Sequence, residues 1–219
     1  MNSPEPTTLI VIDDHPLFRR GVADLIGMQP SLRLVGAAAS GEEGIALVAE
    51  HAPDLVLLDL NMRGMDGLET LQRIKASGCD ARVIMLTVSD NETDVVAALR
   101  AGADGYLLKD MEPEEILQQL TDAAGGHLAV SPRLTELLAR ALRQDPHPRD
   151  PESAQLTERE AQILRLVSAG KSNKMIARTL DITEGTVKVH VKNLLKKLNL
   201  RSRVEAAVWA VEHFRQAAD

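Results

Sequence analysis

The chain has 219 residues, of which 44% are hydrophobic and 26% charged, and these proportions predict a soluble globular protein of one or two domains. Its single cysteine excludes an internal disulfide and a cysteine-rich zinc site. No apolar stretch approaches membrane-spanning length and residues 1–8 do not resemble a signal peptide, so we expect a cytoplasmic protein without a membrane partner.

Charge is distributed unevenly along the chain. Residues 1–150 contain 13 Lys and Arg against 24 Asp and Glu, a net charge of −11. Residues 151–219 contain 12 against 8, a net charge of +4. An acidic part followed by a basic part predicts two domains, and the second is a candidate for binding nucleic acid.

Five short apolar runs alternate with five helix-length segments in the first 125 residues. The runs have the length of buried strands and occupy residues 9–12, 32–35, 55–58, 83–86 and 106–108. The intervening segments carry apolar residues at helical spacing, and Pro113 stands at the first turn of the last one. A strand and helix repeated five times predicts an α/β domain with a doubly wound, flavodoxin-like, five-stranded parallel sheet.

Polar or charged residues follow four of these strands: Asp13 and Asp14, Asp59, Thr87 and Lys109. Because the carboxyl ends of parallel strands share one edge, we expect these side chains to converge there. Three clustered carboxylates repel one another and favour a cation, and hard oxygen ligands suit Mg²⁺. A carboxylate beside Mg²⁺ can attack a phosphoryl group, whose oxygens would find partners in a hydroxyl and an ammonium group. Each residue alone would be an ordinary solvated strand end, but the combination favours a phosphoryl-transfer site.

Residues 7–125 resemble the response-regulator receiver domain of two-component signalling. The resemblance lies in Asp13-Asp14, in Leu57-Leu58-Asp59-Leu60-Asn61-Met62, in Thr87 and in Gly105-Tyr106-Leu107-Leu108-Lys109. It implies that a sensor histidine kinase phosphorylates Asp59. It also implies that Asp14, Asp59 and the Asn61 carbonyl hold Mg²⁺, with Asp13 acting mostly through water. Thr87 and Tyr106 would form the pair that switches conformation upon phosphorylation.

The phosphorylation loop departs from the pattern of this family at Arg63, where proline is usual. Arginine lacks the fixed φ of proline and adds a charge beside the site, while every ligand of the pattern is retained. We therefore expect the substitution to alter the stiffness of the loop and the lifetime of the phosphate.

A helix and a proline-rich segment follow the receiver-like region. Residues 131–143 carry apolar residues on one side of a predicted helix, and residues 145–153 contain three prolines without a large apolar residue. This composition is typical of a tether between domains. The predicted domains are therefore a receiver at 7–127, a linker at 128–152 and a DNA-binding domain at 153–216.

Residues 153–216 carry the signals of an all-α helix-turn-helix unit. Thr157 and Glu160 have the spacing of a capping box, and Ser172 and Thr183 stand where two further helices begin. The third helix presents lysines four residues apart beside its apolar face, at Lys188, Lys192 and Lys196. An amphipathic helix with solvated lysines would show the same stripe, but the helix–turn–helix order and the basic charge favour insertion into the major groove of DNA.

The same region resembles the LuxR/NarL-type DNA-binding domain. The resemblance lies in Leu156-Thr157-Glu158-Arg159-Glu160, Asn173-Lys174-Met175-Ile176-Ala177 and Thr186-Val187-Lys188-Val189-His190. It implies that Lys188, Val189 and Lys192 reach base edges of double-stranded DNA. Three further residues, Asn173, Lys174 and Thr183, would lie near phosphates. The last helix would form the dimer face, through Val204, Ala207, Val208 and Val211.

Over its whole length the chain resembles the nitrate/nitrite response regulators, which implies phosphorylation-activated control of anaerobic respiratory genes. Two other classes of protein are alternatives. A Mg²⁺-dependent phosphatase with Asp59 as nucleophile would need a general acid nearby, and neither Leu60 nor Asn61 can serve. A scaffold that needs no phosphate would not explain the complete acidic pocket. The operator, the kinase, the signal and the choice between activation and repression are left open by the sequence.

Overall fold

The N-terminal part of the chain folds as a parallel sheet between two layers of helices, in a computed structural model that describes residues 5–89, 91–125, 127, 129–130 and 154–216. The strands of the sheet lie side by side in the order β2-β1-β3-β4-β5-β6, and every neighbouring pair is parallel. Their bounds are β1 Thr7–Ile12, β2 Leu32–Ala38, β3 Leu55–Leu58, β4 Arg82–Thr87, β5 Gly105–Leu108 and β6 Ala129–Val130.

Five helices connect these strands and cover both faces of the sheet. They are α1 Pro16–Gly27, α2 Gly41–His51, α3 Gly67–Ala76, α4 Glu92–Arg100 and α5 Pro113–Ala124. Ser40, Asp66 and Asn91 cap α2, α3 and α4 by accepting a hydrogen bond from a backbone N–H of the first turn. Alternate strand residues face opposite layers: Leu9 packs in the cluster containing residues of α1 and α5, whereas Ile10 packs in the cluster containing residues of α2 to α4.

The α/β fold and the five predicted strands are confirmed. A sixth strand, β6, pairs with β5 two residues beyond the predicted end of the receiver at residue 127. It was missed because a strand of two residues has no periodicity to detect. The predicted helix at 131–143 and the proline-rich tether lie outside the described residues, and the domain limits stay a prediction.

The C-terminal part is helical, as predicted, with α6 Glu158–Ser168, α7 Asn173–Leu180, α8 Glu184–Leu198 and α9 Arg203–Gln216. The capping box at the start of α6 is confirmed, since Thr157 and Glu160 each bind the other's backbone N–H. Two non-glycine residues with positive φ, Asp181 and Asn199, end α7 and α8 and let the chain turn sharply after each helix. The turn after Asp181 sets α7 and α8 in helix-turn-helix order.

The two parts touch through α4 and α9 and through one lysine of α8. Arg100 Nε of α4 lies 3.7 Å from Glu205 Oε1 of α9, and the Lys188 ammonium of α8 pairs with the Asp80 carboxylate before β4. Burial raises the pKa of the Glu205 carboxyl, and the Arg201 N–H and the Arg100 guanidinium oppose that shift. Among the helices of the described residues, none combines the length and apolar character needed to cross a membrane.

Candidate functional site

The carboxyl ends of β1, β3, β4 and β5 meet at one edge of the sheet. Parallel pairing sets Ile12 beside Leu58 and Thr87 beside Leu108, so the residues that follow these strands emerge together. A backbone hydrogen bond of 2.9 Å from the Asp59 N–H to the Ile12 carbonyl continues the β1–β3 pairing into the edge. The structure therefore brings together the five side chains that the sequence singled out at this edge.

Lys109 lies at the centre of this pocket. Its Nζ is 2.7 Å from Asp59 Oδ2 and 2.8 Å from Asp13 Oδ2, and only 8% of its side chain is exposed. The ring of Phe18, on α1, packs against the ammonium group at 4.7 Å, which adds a cation–π contact. The ammonium is thus fixed between two buried carboxylates.

Among the described residues, the pocket gathers three carboxylates around the one ammonium group of Lys109. Oxygens of Asp13, Asp14 and Asp59 and a nitrogen of His15 lie within 4.8 Å of one another. Asp14 Oδ1 is buried 3.0 Å from His15 Nδ1, and Asp59 Oδ2 is buried 2.7 Å from Lys109 Nζ. Three clustered carboxylates that exceed the ammonium charge beside them fit a divalent cation with oxygen ligands.

The loop after β3 is tied to the pocket by hydrogen bonds. The Asn61 N–H donates to Asp59 Oδ1 at 3.3 Å, and the Asn61 side-chain amide donates to Thr87 Oγ1 at 3.2 Å. Gly67, the first residue of α3, packs so closely that a Cβ there would overlap the Asp59 carbonyl oxygen. Glycine is therefore needed at this position to bring α3 against the loop.

Arg63 contributes to the pocket through its backbone. Its N–H donates to Asp14 Oδ2 at 3.2 Å, a bond that proline cannot make. We expect Arg63→Pro to weaken Mg²⁺ binding by about two- to tenfold, the effect of losing one hydrogen bond of ordinary strength, because this bond is exposed to solvent. Arg63→Ala keeps the N–H and removes the guanidinium, so it is the matched control. Calorimetric titration with Mg²⁺ measures the difference, and equal affinities in the two variants would contradict this role.

The predicted switch pair is joined through a residue that sequence reasoning missed. The Ser89 N–H donates to Thr87 Oγ1 at 3.2 Å, and the fully buried Tyr106 donates its hydroxyl to the Ser89 carbonyl at 2.9 Å. The Ser89 hydroxyl in turn donates to Asp94, on α4, at 2.6 Å. A serine in a loop carries no sequence signal of such a role. Ser89 nevertheless connects both switch residues to the helix that touches the C-terminal part.

The basic stripe of α8 is largely open to solvent. Lys192 is exposed, Val189 is 58% exposed, and Lys188, Lys192 and Asn173 line one groove of about 430 Å³. Lys174 is exposed at the start of α7, while Thr183 caps α8 by accepting from the Thr186 N–H. Lys188 does not extend freely into solvent as the stripe predicted, because the Asp80 carboxylate holds it. Lys196, the third lysine of the stripe, lines the same groove, and so does Arg201, which carries no such signal in the sequence.

The predicted dimer face is mostly not a surface in this structure. Val204, Ala207 and Val208 are at most 5% exposed, and only Val211, at 41%, is open to solvent. Their spacing on one side of α9 is as predicted, but α9 packs against α6, α8 and α4 of its own chain. The periodicity identified a buried face correctly, yet periodicity cannot distinguish an intramolecular partner from a second copy.

Comparison with known proteins identifies the family. Residues 9–121 match the family model described as "Response regulator receiver domain", and residues 154–210 match "Bacterial regulatory proteins, luxR family". The chain is 54% identical over 209 residues to the nitrate/nitrite response regulator protein NarL of Escherichia coli K12, covering 95% of this chain and 97% of the relative. The chain belongs to the LuxR-type response regulators.

Further relatives support this assignment. The response regulator is 46% identical over 208 residues to the nitrate/nitrite response regulator protein NarP of E. coli K12, covering 95% of this chain and 96% of NarP. Among solved structures, ChrA of a heme-sensing two-component system aligns at 30% identity with a TM-score of 0.51, covering 96% of this chain and 98% of ChrA. A receiver domain from Mycobacterium tuberculosis aligns at 38% identity with a TM-score of 0.54, covering 56% of this chain and 99% of that domain. Both resemblances found in the sequence are thus confirmed, while the roles of individual residues stay predictions.

Proposed function

We propose that this response regulator is phosphorylated on Asp59 by a sensor histidine kinase and controls transcription by binding double-stranded DNA through α8. One observation carries the proposal. Asp59 Oδ2 is a buried carboxylate oxygen at the edge of the sheet, and it lies 2.7 Å from the buried Lys109 ammonium and in one cluster with the Asp13 and Asp14 carboxylates. Such an oxygen is positioned to attack phosphorus, and its neighbours are suited to bind the phosphate that results.

The transfer uses groups already in place. Asp59 Oδ2 forms a bond to the phosphorus of the kinase's phosphohistidine as the P–N bond breaks, and the departing imidazole takes up a proton. Lys109 Nζ and the Thr87 hydroxyl then bind oxygens of the new phosphate. Mg²⁺, when bound, would neutralise charge on the transferred group. Asp14, Asp59 and the Asn61 carbonyl would hold the ion, with Asp13 acting through water.

The helix-turn-helix would bind the DNA. Lys188, Val189 and Lys192 would contact base edges, since Val189 and Lys192 are exposed and Lys188 is held by an ion pair with Asp80 that can break. Near phosphates we place Asn173, Lys174 and Thr183. A dimer on DNA would use the side of α9 that bears Val204, Ala207, Val208 and Val211. Because three of these residues are buried within the chain in this structure, α9 would first have to leave its contact with α4. The domain limits proposed are 7–127 for the receiver, 128–152 for the linker and 153–216 for the DNA-binding domain.

The names of the relatives support a nitrate/nitrite signal. We propose in addition that the regulated genes are those of anaerobic respiration and that the protein acts in the cytoplasm. The phosphatase alternative is less well supported. Its general acid is expected close to the nucleophile, but Leu60 is apolar and the Asn61 amide is bound to Thr87. Asp14 and His15 lie in the same cluster as Asp59, but they are paired with each other, and Asp14 would be a ligand of the cation. A turnover enzyme therefore has less support from this pocket than a phosphate-regulated switch.

The experiment that tests the function measures DNA binding before and after phosphorylation. The full chain is incubated with acetyl phosphate and Mg²⁺, and its affinity for a promoter fragment of a nitrate-regulated respiratory operon is compared with that of the untreated protein. We expect tighter binding after treatment, because phosphate shifts the population towards a DNA-binding state. Equal affinity in both states would contradict the proposal. Continuous release of phosphate with multiple turnovers would favour the phosphatase.

A separate prediction concerns the lysines of α8. Lys188→Ala and Lys192→Ala should each weaken operator binding, with a loss of about 1–3 kcal/mol where the lysine contacts a base edge. The free energy of unfolding should change by less than about 0.5 kcal/mol, because neither side chain is part of the apolar core. Arg33→Ala, on the exposed side of β2, is the control for the loss of one positive charge. If a lysine variant binds the operator as tightly as this control does, that lysine is an ordinary solvated side chain without a role in DNA binding.

A further inference from the structure

A cavity of about 750 Å³ lies between the receiver and the DNA-binding domain. Its receiver wall includes Asp54 and Arg82, at the amino ends of β3 and β4 and therefore at the opposite edge of the sheet from Asp59. Its other wall includes Lys174 and Lys188 of the helix-turn-helix and Arg203 of α9. The volume is that of a small-molecule site, and such sites are frequent at domain boundaries.

Two guanidinium groups, Arg82 of the receiver and Arg203 of the DNA-binding domain, line this one cavity. Burial lowers the pKa of Arg203 to about 10; the Asp104 charge opposes that shift and the Arg82 charge adds to it. Burial likewise lowers the pKa of Arg82, against the charges of Asp104 and Asp54. Arg203 donates to Asn173 Oδ1 at 2.8 Å and to the Lys171 carbonyl, whereas Arg82 makes no side-chain hydrogen bond within the described residues. Two partly desolvated cations that line one cavity favour a shared anion there.

The carboxylates of the cavity are mostly committed to other partners. Asp104 Oδ2 accepts from Lys75 Nζ at 2.6 Å and from the Val83 N–H at 2.9 Å. Asp54 Oδ2 accepts from the N–H and the hydroxyl of Thr8, both at 2.8 Å, and Asp80 pairs with Lys188. Glu184 also lines the cavity, so that its lining holds five Lys and Arg residues, at 75, 82, 174, 188 and 203, against four acidic residues, at 54, 80, 104 and 184. Among the described residues, the cations of this lining without an ion pair are Arg82, Lys174 and Arg203.

We propose that this cavity binds a small phosphate or phosphomonoester, held between Arg82 of the receiver and Arg203 of the DNA-binding domain. Lys174 lies on the same wall and completes the anion site. A ligand that bridges both domains binds only while they are docked, so it stabilises the docked form. By reciprocity it opposes DNA binding, and this consequence rests on the proposed function.

The test measures binding of inorganic phosphate to the full, unphosphorylated chain by calorimetry, with EDTA present and ionic strength held constant with NaCl. We expect one phosphate per chain, with affinity reduced about tenfold or more in Arg82→Gln. Arg33→Gln removes the same charge from an exposed position outside the cavity and should bind normally. Lys174→Gln, at an exposed position, is a second variant that does not threaten the fold, and it should also bind more weakly.

A second titration with glucose 6-phosphate distinguishes a phosphomonoester from free phosphate as the tighter ligand. Phosphate should also weaken operator binding by the wild-type chain and not by Arg82→Gln. The proposal is overturned if neither ligand binds, or if both Arg82→Gln and Lys174→Gln bind as tightly as wild type. Labelling of Asp59 with acetyl phosphate tests the proposed function separately, because Asp59 does not line the cavity.

Discussion

Asp59→Asn should abolish phosphorylation. Incubation of the wild-type chain with acetyl phosphate and Mg²⁺ should add one base-labile phosphate, detected by intact mass, and the variant should add none. Asparagine keeps the size of the side chain but lacks the anionic oxygen that lies 2.7 Å from Lys109 Nζ, so no nucleophile is left at that position. The gain in DNA affinity upon treatment should disappear with the label.

Asp66→Asn is the matched control for this experiment. Asp66 caps α3 close to the pocket, and asparagine caps a helix about as well as aspartate, so the control removes one nearby charge without unfolding the helix. It should accept phosphate like the wild type. If Asp59→Asn is labelled at the wild-type level, another residue is the phosphoacceptor.

The DNA-binding domain alone should bind DNA without phosphate, and about tenfold more tightly than the unphosphorylated full chain. In the full chain Asp80 neutralises Lys188, and the Arg100–Glu205 ion pair holds α9 against α4. A fragment of residues 150–219 lacks both restraints and retains the apolar core of α6 to α8, which includes Ile163, Leu164, Val187 and Leu194. Fluorescence anisotropy with an operator duplex measures the two affinities. Binding by both should fall steeply with salt, because lysine–phosphate contacts release counterions.

Asp80→Asn in the full chain tests, without truncation, whether contact with the receiver inhibits DNA binding. It frees Lys188 and leaves the receiver core intact, so unphosphorylated DNA binding should rise towards that of the fragment. Asp110→Asn removes a charge from an exposed receiver position after Lys109 and should have no such effect. If the fragment binds no better than the unphosphorylated whole, the receiver is not an inhibitor and phosphate would act instead by promoting a dimer.

The phosphorylation pocket was predictable because it depends on backbone topology. Apolar runs located the ends of β1, β3, β4 and β5, and parallel pairing then forces Asp13, Asp59, Thr87 and Lys109 to one edge whatever the loops do. The same holds for α6 to α8, whose caps at Thr157, Ser172 and Thr183 are local and can be read from a few residues.

Features that depend on contacts between distant segments were not predictable. Ser89 acts through hydrogen bonds whose partners are fixed by the folded loop, and Asp80 matters only because the domains dock. The burial of α9 is the clearest case. Its apolar side was recognised, but the sequence carries no record of whether α4 and α6 or a second chain covers Val204 and Val208.

Strand β4 begins at Arg82, in the interdomain cavity, and ends at Thr87, in the phosphorylation pocket. At a rise of about 3.3 Å per residue, roughly 17 Å separate these two positions. The four residues between them, 83 to 86, are at most 2% exposed, so the strand runs through close-packed core along this length. Such an interior has low compressibility and transmits a displacement instead of absorbing it. Hence phosphorylation of Asp59 and binding of a ligand in the interdomain cavity would act on opposite ends of the same rigid strand.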